Sequence, residues 1–424
     1  MKLQKILKRL QKLHPKEIDL SLNRIKRLCN KLENPQENLK SISVVGTNGK
    51  NSTIQTMRSI LAAADIKSNI YTSPHIRKIN ERFVFNNNEV GDNELYKILC
   101  KVEKINNGDQ ITYFEILTAA FFYGAKKHDK NINIIESGLF HRFDATNIIE
   151  KNLASVVTAI GLDHTDWLPK NERTIEKIIF EKTSSLLNSK IVVSNQIDSK
   201  TLQKIKKSLN SNNSKKIFFN DSYTYSLREN NFFYYEDEYG GLKLPMPNLL
   251  GDFQLSNISA AIATLRYIEE LDISDENIKQ GITNIQNTFG RLQEIKSGKL
   301  KNMVKKNKLL VDGSHNPLGA KVLADFLDTI HSKKHVIIGM MSNKDHRKYI
   351  NYFKGKIESI TTVDIPNQPN SIKGIDLKKK IIGFNKIYYK NSIEEALKSL
   401  SLGDEDLVLI TGSLYLAGEV LNLN

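Results

Sequence analysis

At 424 residues the chain is too long for one ordinary core and suits two domains with a small appendage. Hydrophobic residues at 40% and charged residues at 26% are those of a soluble globular protein, and no apolar run approaches the length of a membrane span. A formal charge of +15 raises nucleic acid as a partner, but the lysines are scattered among asparagines and isoleucines rather than gathered in a stripe. The better reading is a solvated surface whose positive field draws in anionic small molecules such as nucleotides and carboxylates.

In chain order, "MKLQKILKRLQKL" has no uninterrupted apolar core and reads as an amphipathic helix rather than a signal peptide, so the chain is expected in the cytoplasm. The two cysteines, Cys29 and Cys100, offer neither a disulfide framework nor metal-ligand spacing and read as packing residues. After a break at "ENPQENLKS", "SISVV" reads as a short buried strand and "STIQTMRSILAAA" as a helix. Between them lies "GTNGKNS". Strand, glycine loop and helix are what a phosphate cradle requires, because backbone N–H groups and the helix N-terminus face the anion while Lys50 supplies a point charge. The common G-x-x-x-x-G-K-[ST] pattern is not met, since Val44 stands at the first glycine and Asn51 at the hydroxyl, so an ordinary strand-to-helix turn remains open.

"NINIIESGL" and "LASVVTAIGLDHT" are β-branched runs that alternate with helical stretches such as "EILTAAFFYGAKKH", which implies βαβ units and a parallel sheet. Ligands of such sheets sit at the carboxyl ends of the strands, where Glu136, Asp163 and His164 fall. The aromatic-rich "KIFFNDSYTYSLRENNFFYYEDEYGGLKLPMP" reads as an antiparallel excursion, "NISAAIATLRYIEEL" as a helix, and "NTFGRLQEIKSGK" as a domain linker. "KLLVDGSHNP", "HVIIGMMSNKD", "SITTVDIP" and "LVLITGSLYL" read as four further strands of a second α/β domain. The expected plan is a first domain carrying the phosphate cradle over residues 1–290, a linker over 291–297 and a second domain over 298–424.

Phosphate chemistry needs a divalent cation held by hard oxygens or imidazole beside the cradle. Ser52, Glu136 and His164 stand at the expected strand ends, although a lone glutamate there also reads as a surface residue and a lone histidine as a packing residue.

"VVGTNGKNST", "YTSPHIRKINERF", "ESGLFHRFDATNII", "TAIGLDHTDWL", "FEKTS", "LLGDFQLSNISAA", "FGRLQEI", "LLVDGSHNPLGA", "GMMSNKD" and "LITGSLYLAGEV" follow one another in an order that resembles the folylpolyglutamate synthase and dihydrofolate synthase family, in the Mur ligase superfamily. The Mur-type loop is G-T-x-G-K-x-[ST], which "GTNGKNS" fits. The resemblance implies an α/β fold, with an N-terminal P-loop-type domain built on a mostly parallel sheet and a C-terminal Rossmann-like α/β domain. It assigns Gly46, Thr47, Asn48, Gly49, Lys50 and Ser52 to the ATP phosphates, and Ser52, Ser73, Glu136, His164 and Lys182 to magnesium, with Lys182 carrying a carbamate. Asn257, Arg291, Asp312 and His315 match residues around the nucleotide and the inter-domain cleft, with the incoming amino acid near His315. Lys50, Glu136, His164 and Lys182 are the implied catalytic residues. From the residues alone, the favoured reading of Lys182 is a surface lysine paired with Glu181 on a helix.

Two departures stand out. Phe140-His141 replaces the family's Gly-Gly, and between "DHTDWL" and Thr174 the chain is longer by about three residues, which is within the tolerance of a loop. The resemblance implies an ATP- and Mg2+-dependent monomeric ligase. It converts a folate carboxylate to an acyl phosphate and joins L-glutamate to it, and the "DHTDWL" stretch favours dihydropteroate as a further substrate. Neither nucleic acid nor membrane is expected as a partner. A P-loop regulatory or nucleic-acid-linked ATPase and a cell-wall precursor ligase are the rival readings.

Overall fold

The computed structural model describes residues 2–16, 19–229, 231–285 and 289–424. Two compact units emerge: one of residues 1–160, 169–247 and 255–285, the other of residues 161–168, 248–254 and 286–424. Two residues of the stretch read as a linker, Asn287 and Thr288, lie outside the described residues.

The first unit is built on eight strands: β1 (Ser41–Val45), β2 (Ser68–Tyr71), β3 (Phe83–Phe85), β4 (Asn88–Glu89), β5 (Ile132–Glu136), β6 (Ala154–Val157), β7 (Lys190–Val193) and β8 (Lys215–Phe218). Their order is β4-β3-β2-β5-β1-β6-β7-β8, parallel from β2 through β8, with β3 and β4 added antiparallel at one edge. The central strands β1 and β5 are buried along their whole length, as a parallel sheet covered on both faces requires, and this is why they read as continuous β-branched runs. The amphipathic N-terminal helix Lys2–Leu10 buries Leu3, Ile6, Leu7 and Leu10 in a cluster shared with the helices Asp92–Asn106 and Tyr113–Ala125. Cys29 is buried in that cluster and Cys100 packs against it.

The aromatic-rich stretch divides. "KIFF" joins the main sheet as β8, parallel to β7, and only then do β9 (Tyr223–Glu229), β10 (Phe232–Asp237) and β11 (Gly240–Pro245) form an antiparallel meander.

The second unit holds β12 (Gln293–Glu294), β13 (Lys308–Val311), β14 (Lys334–Ile338), β15 (Ser359–Val363), β16 (Ile387–Lys390) and β17 (Leu407–Thr411), in the order β12-β13-β17-β14-β15-β16. All pairs are parallel except β12 with β13. Alternate residues sort to opposite faces: Leu310, Val336, Ile338 and Leu409 enter one core, and Leu309, Val311, Ile337, Val408 and Ile410 the other. The parallel sheet read from the sequence is present in the first unit, and the second α/β domain is present as a mostly parallel sheet covered on both faces. The pairing of Gln293–Glu294 places an edge strand within the stretch read as a linker.

Among the described residues, no helix is long and apolar enough to cross a membrane.

Candidate active site

In the first unit, three adjacent parallel strands deliver the phosphate-type residues to one sheet end, with Glu136 closing β5, Ser73 following β2 and the glycine loop following β1. The loop cannot accept side chains at its glycines. Gly46 has φ +153, and a Cβ there would stand 1.9 Å from Thr158 Oγ1; Gly49 has φ +89, and a Cβ there would stand 2.2 Å from Asn257 Oδ1. Buried Asn257 thus closes on Gly49, and the amides of Thr47 and Asn48 tie the loop to Ala159 O at 2.9 and 3.1 Å. Lys50 opens the helix Lys50–Ala63, and its Nζ donates to Gly46 O at 3.2 Å and Thr47 O at 3.3 Å, with Glu136 Oε1 at 3.7 Å. Glu136 is buried, and its Oε2 accepts the Ser73 amide at 3.0 Å. Ser52, on the first turn of the helix, is also buried.

Lys182 lies on the helix Ile175–Thr183 and is only 3% exposed. Its Nζ donates to Gly46 O and Leu139 O, both at 2.9 Å, and lies 5.8 Å from the Phe140 ring centre. A surface lysine paired with Glu181 is therefore not what is found. Glu181 is engaged elsewhere: its carboxylate accepts two Arg142 hydrogen bonds at 2.8 and 2.9 Å, and its carbonyl accepts the amides of His141 and Arg142. Lys177 links Glu181 to Glu172, in the longer segment before Thr174. That segment is thus bound to the helix bearing Lys182.

The two residues replacing Gly-Gly point inward. Phe140 and His141 are buried, and His141 Nδ1 lies 3.0 Å from Ser137 Oγ. Burial, helped by the Lys182 charge, pushes the His141 imidazole down to about 3. Burial also raises the neighbouring Asp144 carboxyl, against the hydrogen bonds it accepts from Thr146, Leu139 and Gly138.

His164, Arg291, Asp312 and His315 belong to the second unit. Asp312 accepts the amides of Leu292 and Ser314, both at 2.7 Å, and so fixes the backbone next to Arg291. His164 has φ 56, and its amide donates to the Asp163 carboxylate at 2.9 Å. Asp163 also receives Lys344 Nζ at 2.7 Å and Asn316 Nδ2 at 2.9 Å, with His315 Nε2 at 3.4 Å. Burial pushes the Asp163 carboxyl up, but His164, His315 and Lys344 overcome that and hold it well below the usual carboxylate range. Asp163 was placed from sequence at a ligand-binding strand end without a role, and Asn316 and Lys344 were not among the expected site residues. The local signal for those two is that they lie in the motifs "GSHNP" and "GMMSNKD".

Among the described residues, no three His, Cys, Asp or Glu side chains gather as a metal-holding group. The donor set of the first unit fits magnesium in another way: Ser52, Ser73 and Glu136 are hard oxygen ligands of the type that ion takes, beside a lysine suited to phosphate.

The Mur ligase middle domain family matches residues 44–265, and the Mur ligase glutamate ligase domain family matches residues 290–414. A dihydrofolate synthase/folylpolyglutamate synthase of Buchnera aphidicola is 30% identical over 425 residues, covering 98% of this chain and 97% of that protein. A folylpolyglutamate synthase of Lacticaseibacillus casei is 27% identical over 418 residues, covering 94% and 92%. Among solved structures, the bifunctional folylpolyglutamate synthase/dihydrofolate synthase of Yersinia pestis, complexed with AMPPNP and Mn ion, superposes with a TM-score of 0.87 at 27% identity, covering 99% of this chain and 97% of that one. Escherichia coli FolC in complex with DHPP and ADP gives 0.86 at 26% identity, with the same coverage. The chain belongs to the dihydrofolate synthase/folylpolyglutamate synthase family of Mur ligases, ATP-dependent enzymes that join L-glutamate to folates.

Proposed function

We propose that this chain adds L-glutamate to tetrahydrofolate and its polyglutamates, and also to dihydropteroate to give dihydrofolate, with the residue roles set out below. The observation that carries the reading is the cradle of the first unit: a G-T-x-G-K-x-S loop whose lysine lies within reach of a buried strand-end glutamate.

A carboxylate is a poor electrophile, so the reaction first transfers the γ-phosphoryl of ATP to the folate carboxylate and makes an acyl phosphate. The α-amine of L-glutamate then attacks the acyl carbon, and phosphate leaves as the amide forms. The loop from Gly46 to Ser52 surrounds the ATP phosphates; with the Thr47 and Asn48 amides given to Ala159 O, the N–H groups that serve are those at the N-terminus of the helix Lys50–Ala63. Lys50, now bonded to two carbonyls of its own loop, turns its charge toward the transferring phosphoryl group, where charge develops in the transition state. Asn257 keeps the loop closed over Gly49, and Arg291 and Asp312 are assigned to the nucleotide. His315 stands beside the incoming amino acid.

Ser52, Ser73, Glu136, His164 and a carbamylated Lys182 are the residues that would hold magnesium. When bound, magnesium would supply positive charge to offset that of the phosphoryl oxygens. Lys182 can join the set only as a carbamate, because an ammonium has donors and no lone pair for a metal. We take the protein to be a cytoplasmic monomer acting on small molecules, without nucleic acid or membrane; the even scatter of its lysines supports the absence of nucleic acid.

The test is ADP release with tetrahydrofolate or dihydropteroate, each with and without L-glutamate. Full turnover should require a folate acceptor together with glutamate. Equal turnover with both omitted would favour a plain ATPase and sink the reading.

A further inference from the structure

The geometry points to Asp163 as a positioning residue for the amino-acid step, acting through His315 and Lys344; this rests on the function proposed above. In the second unit, Asp163 is the point where three separate chain segments meet. Its side chain is 6% exposed and takes Lys344 Nζ (2.7 Å) and the His164 amide (2.9 Å) on Oδ1, and Asn316 Nδ2 (2.9 Å) on Oδ2. His315 Nε2 lies 3.4 Å from Oδ2, and His164 Nε2 lies 3.9 Å from it.

Two of the partners, His315 and Asn316, are held a second time. His315 Nδ1 lies 2.9 Å from Gly313 O, so the ring faces an acceptor at both nitrogens and its plane is fixed from two sides. Asn316 accepts the Gly319 amide on Oδ1 and caps the helix Pro317–Asp328, leaving its amide nitrogen for Asp163. The Lys344 side chain is 11% exposed and spends its charge on Asp163. His315 follows the carboxyl end of β13 and Lys344 that of β14, the sheet end where α/β proteins bind ligands. A buried carboxylate among cations is a costly way to gain stability, since an apolar cluster of the same volume would serve as well or better. What the carboxylate adds is direction: it sets where one imidazole and one ammonium can stand.

The experiment compares Asp163→Asn, Lys344→Met, Lys344→Arg and the Asp163→Asn/Lys344→Met double variant by steady-state ADP release. We expect Asp163→Asn to raise the KM for L-glutamate by about tenfold or more while the KM for ATP moves by less than about threefold, because an asparagine Oδ1 still accepts the His164 amide and what is lost is the charge that places His315 and Lys344. Lys344→Met should behave alike and Lys344→Arg should stay nearer the parent. The double variant should be no worse than the poorer single, as for two residues acting as one unit. An unchanged glutamate KM in folded Asp163→Asn, parallel shifts in both KM values, or additive effects in the double variant would overturn the inference. If Asp163→Asn does not fold, the Lys344→Met and Lys344→Arg pair decides it by the same split. A parent enzyme without glutamate-dependent turnover would instead defeat the function proposed above.

Discussion

Replacing Lys182 with alanine and with arginine separates two jobs that the structure allows this side chain. As an ammonium it joins Gly46 O of the phosphate loop to Leu139 O, both at 2.9 Å. Each such charge-assisted bond is worth about 1.5–3 kcal/mol. Removing the side chain also removes the cost of keeping a cation 97% buried, itself several kcal/mol. Gly46 O keeps Lys50 as a donor at 3.2 Å, so the uncompensated loss is mainly at Leu139 O. Lys182→Ala should therefore cost about 1–3 kcal/mol and lower the melting temperature by a few degrees, without unfolding the protein. Catalysis should suffer far more if the lysine is carbamylated during turnover, since the anionic metal ligand is then gone. Arginine can donate to both carbonyls but cannot form the carbamate, so Lys182→Arg should keep the melting temperature and lose activity. Short carboxylic acids should restore part of the activity of Lys182→Ala, and a carbamate carbon should appear in the 13C spectrum of parent enzyme equilibrated with labelled bicarbonate and be missing from both variants. Near-normal turnover by Lys182→Arg together with a silent 13C spectrum would refute the carbamate and leave Lys182 as a strap on the phosphate loop.

Lys50→Ala should lower ligation by about a hundredfold or more in initial-rate assays, because the loop lysine neutralises charge in the phosphoryl transition state; a loss below about tenfold in the folded variant would overturn the loop assignment. Gly49→Ala must hold an L residue at φ +89 and push Asn257 Oδ1 from 2.2 Å, so nucleotide affinity, read by calorimetry with a non-hydrolysable ATP analogue, should fall about tenfold or more. Unchanged affinity would show that the loop does not close on Asn257 when nucleotide binds. The buried His141 gives a pH signature. Its imidazole is lowered from 6.5 to about 3, so between those values the unfolded chain binds the extra proton and stability falls as pH falls. At pH 5 the loss from this one group is about 2 kcal/mol relative to neutral pH. Urea melts of the parent and His141→Gln at pH 7 and pH 5 should show a smaller pH dependence in the variant; equal slopes would mean that the ring is not buried as described.

The parallel sheets were legible because their strands are buried on both faces and so carry continuous β-branched runs, as in Ser41–Val45, Ile132–Glu136 and Leu407–Thr411. The strand Ile387–Lys390 was not, because it is a part-exposed edge strand of only four residues with no apolar run to announce it. "KIFF" was legible as a strand but not as a member of the parallel sheet, since its sequence neighbours are the antiparallel meander. The phosphate loop could be read locally because cradle, glycines and lysine lie within seven consecutive residues. The environment of Lys182 could not, because its acceptor Gly46 is 136 positions away. The same holds for Asp163, whose partners Asn316 and Lys344 are 153 and 181 positions distant. Nothing in a local pattern says that an aspartate next to a metal-type histidine is claimed by a lysine from another strand end.

Two of the non-glycine residues at positive φ, His164 and Leu292, stand at or beside residues given chemical work, and each has a visible restraint. His164 at φ 56 and Leu292 at φ 48 occupy a region that costs a non-glycine residue about 1–2 kcal/mol. In both cases the amide of the strained residue is held by a buried aspartate, Asp163 for His164 at 2.9 Å and Asp312 for Leu292 at 2.7 Å. A charged acceptor offsets a backbone strain of that size with one hydrogen bond of about 1.5–3 kcal/mol. The strain is therefore tied to the charge on two carboxylates rather than to packing. Loss of the Asp312 acceptor should release the backbone beside Arg291 before it disturbs the sheet that carries it, and function should fail at a substitution that the fold survives.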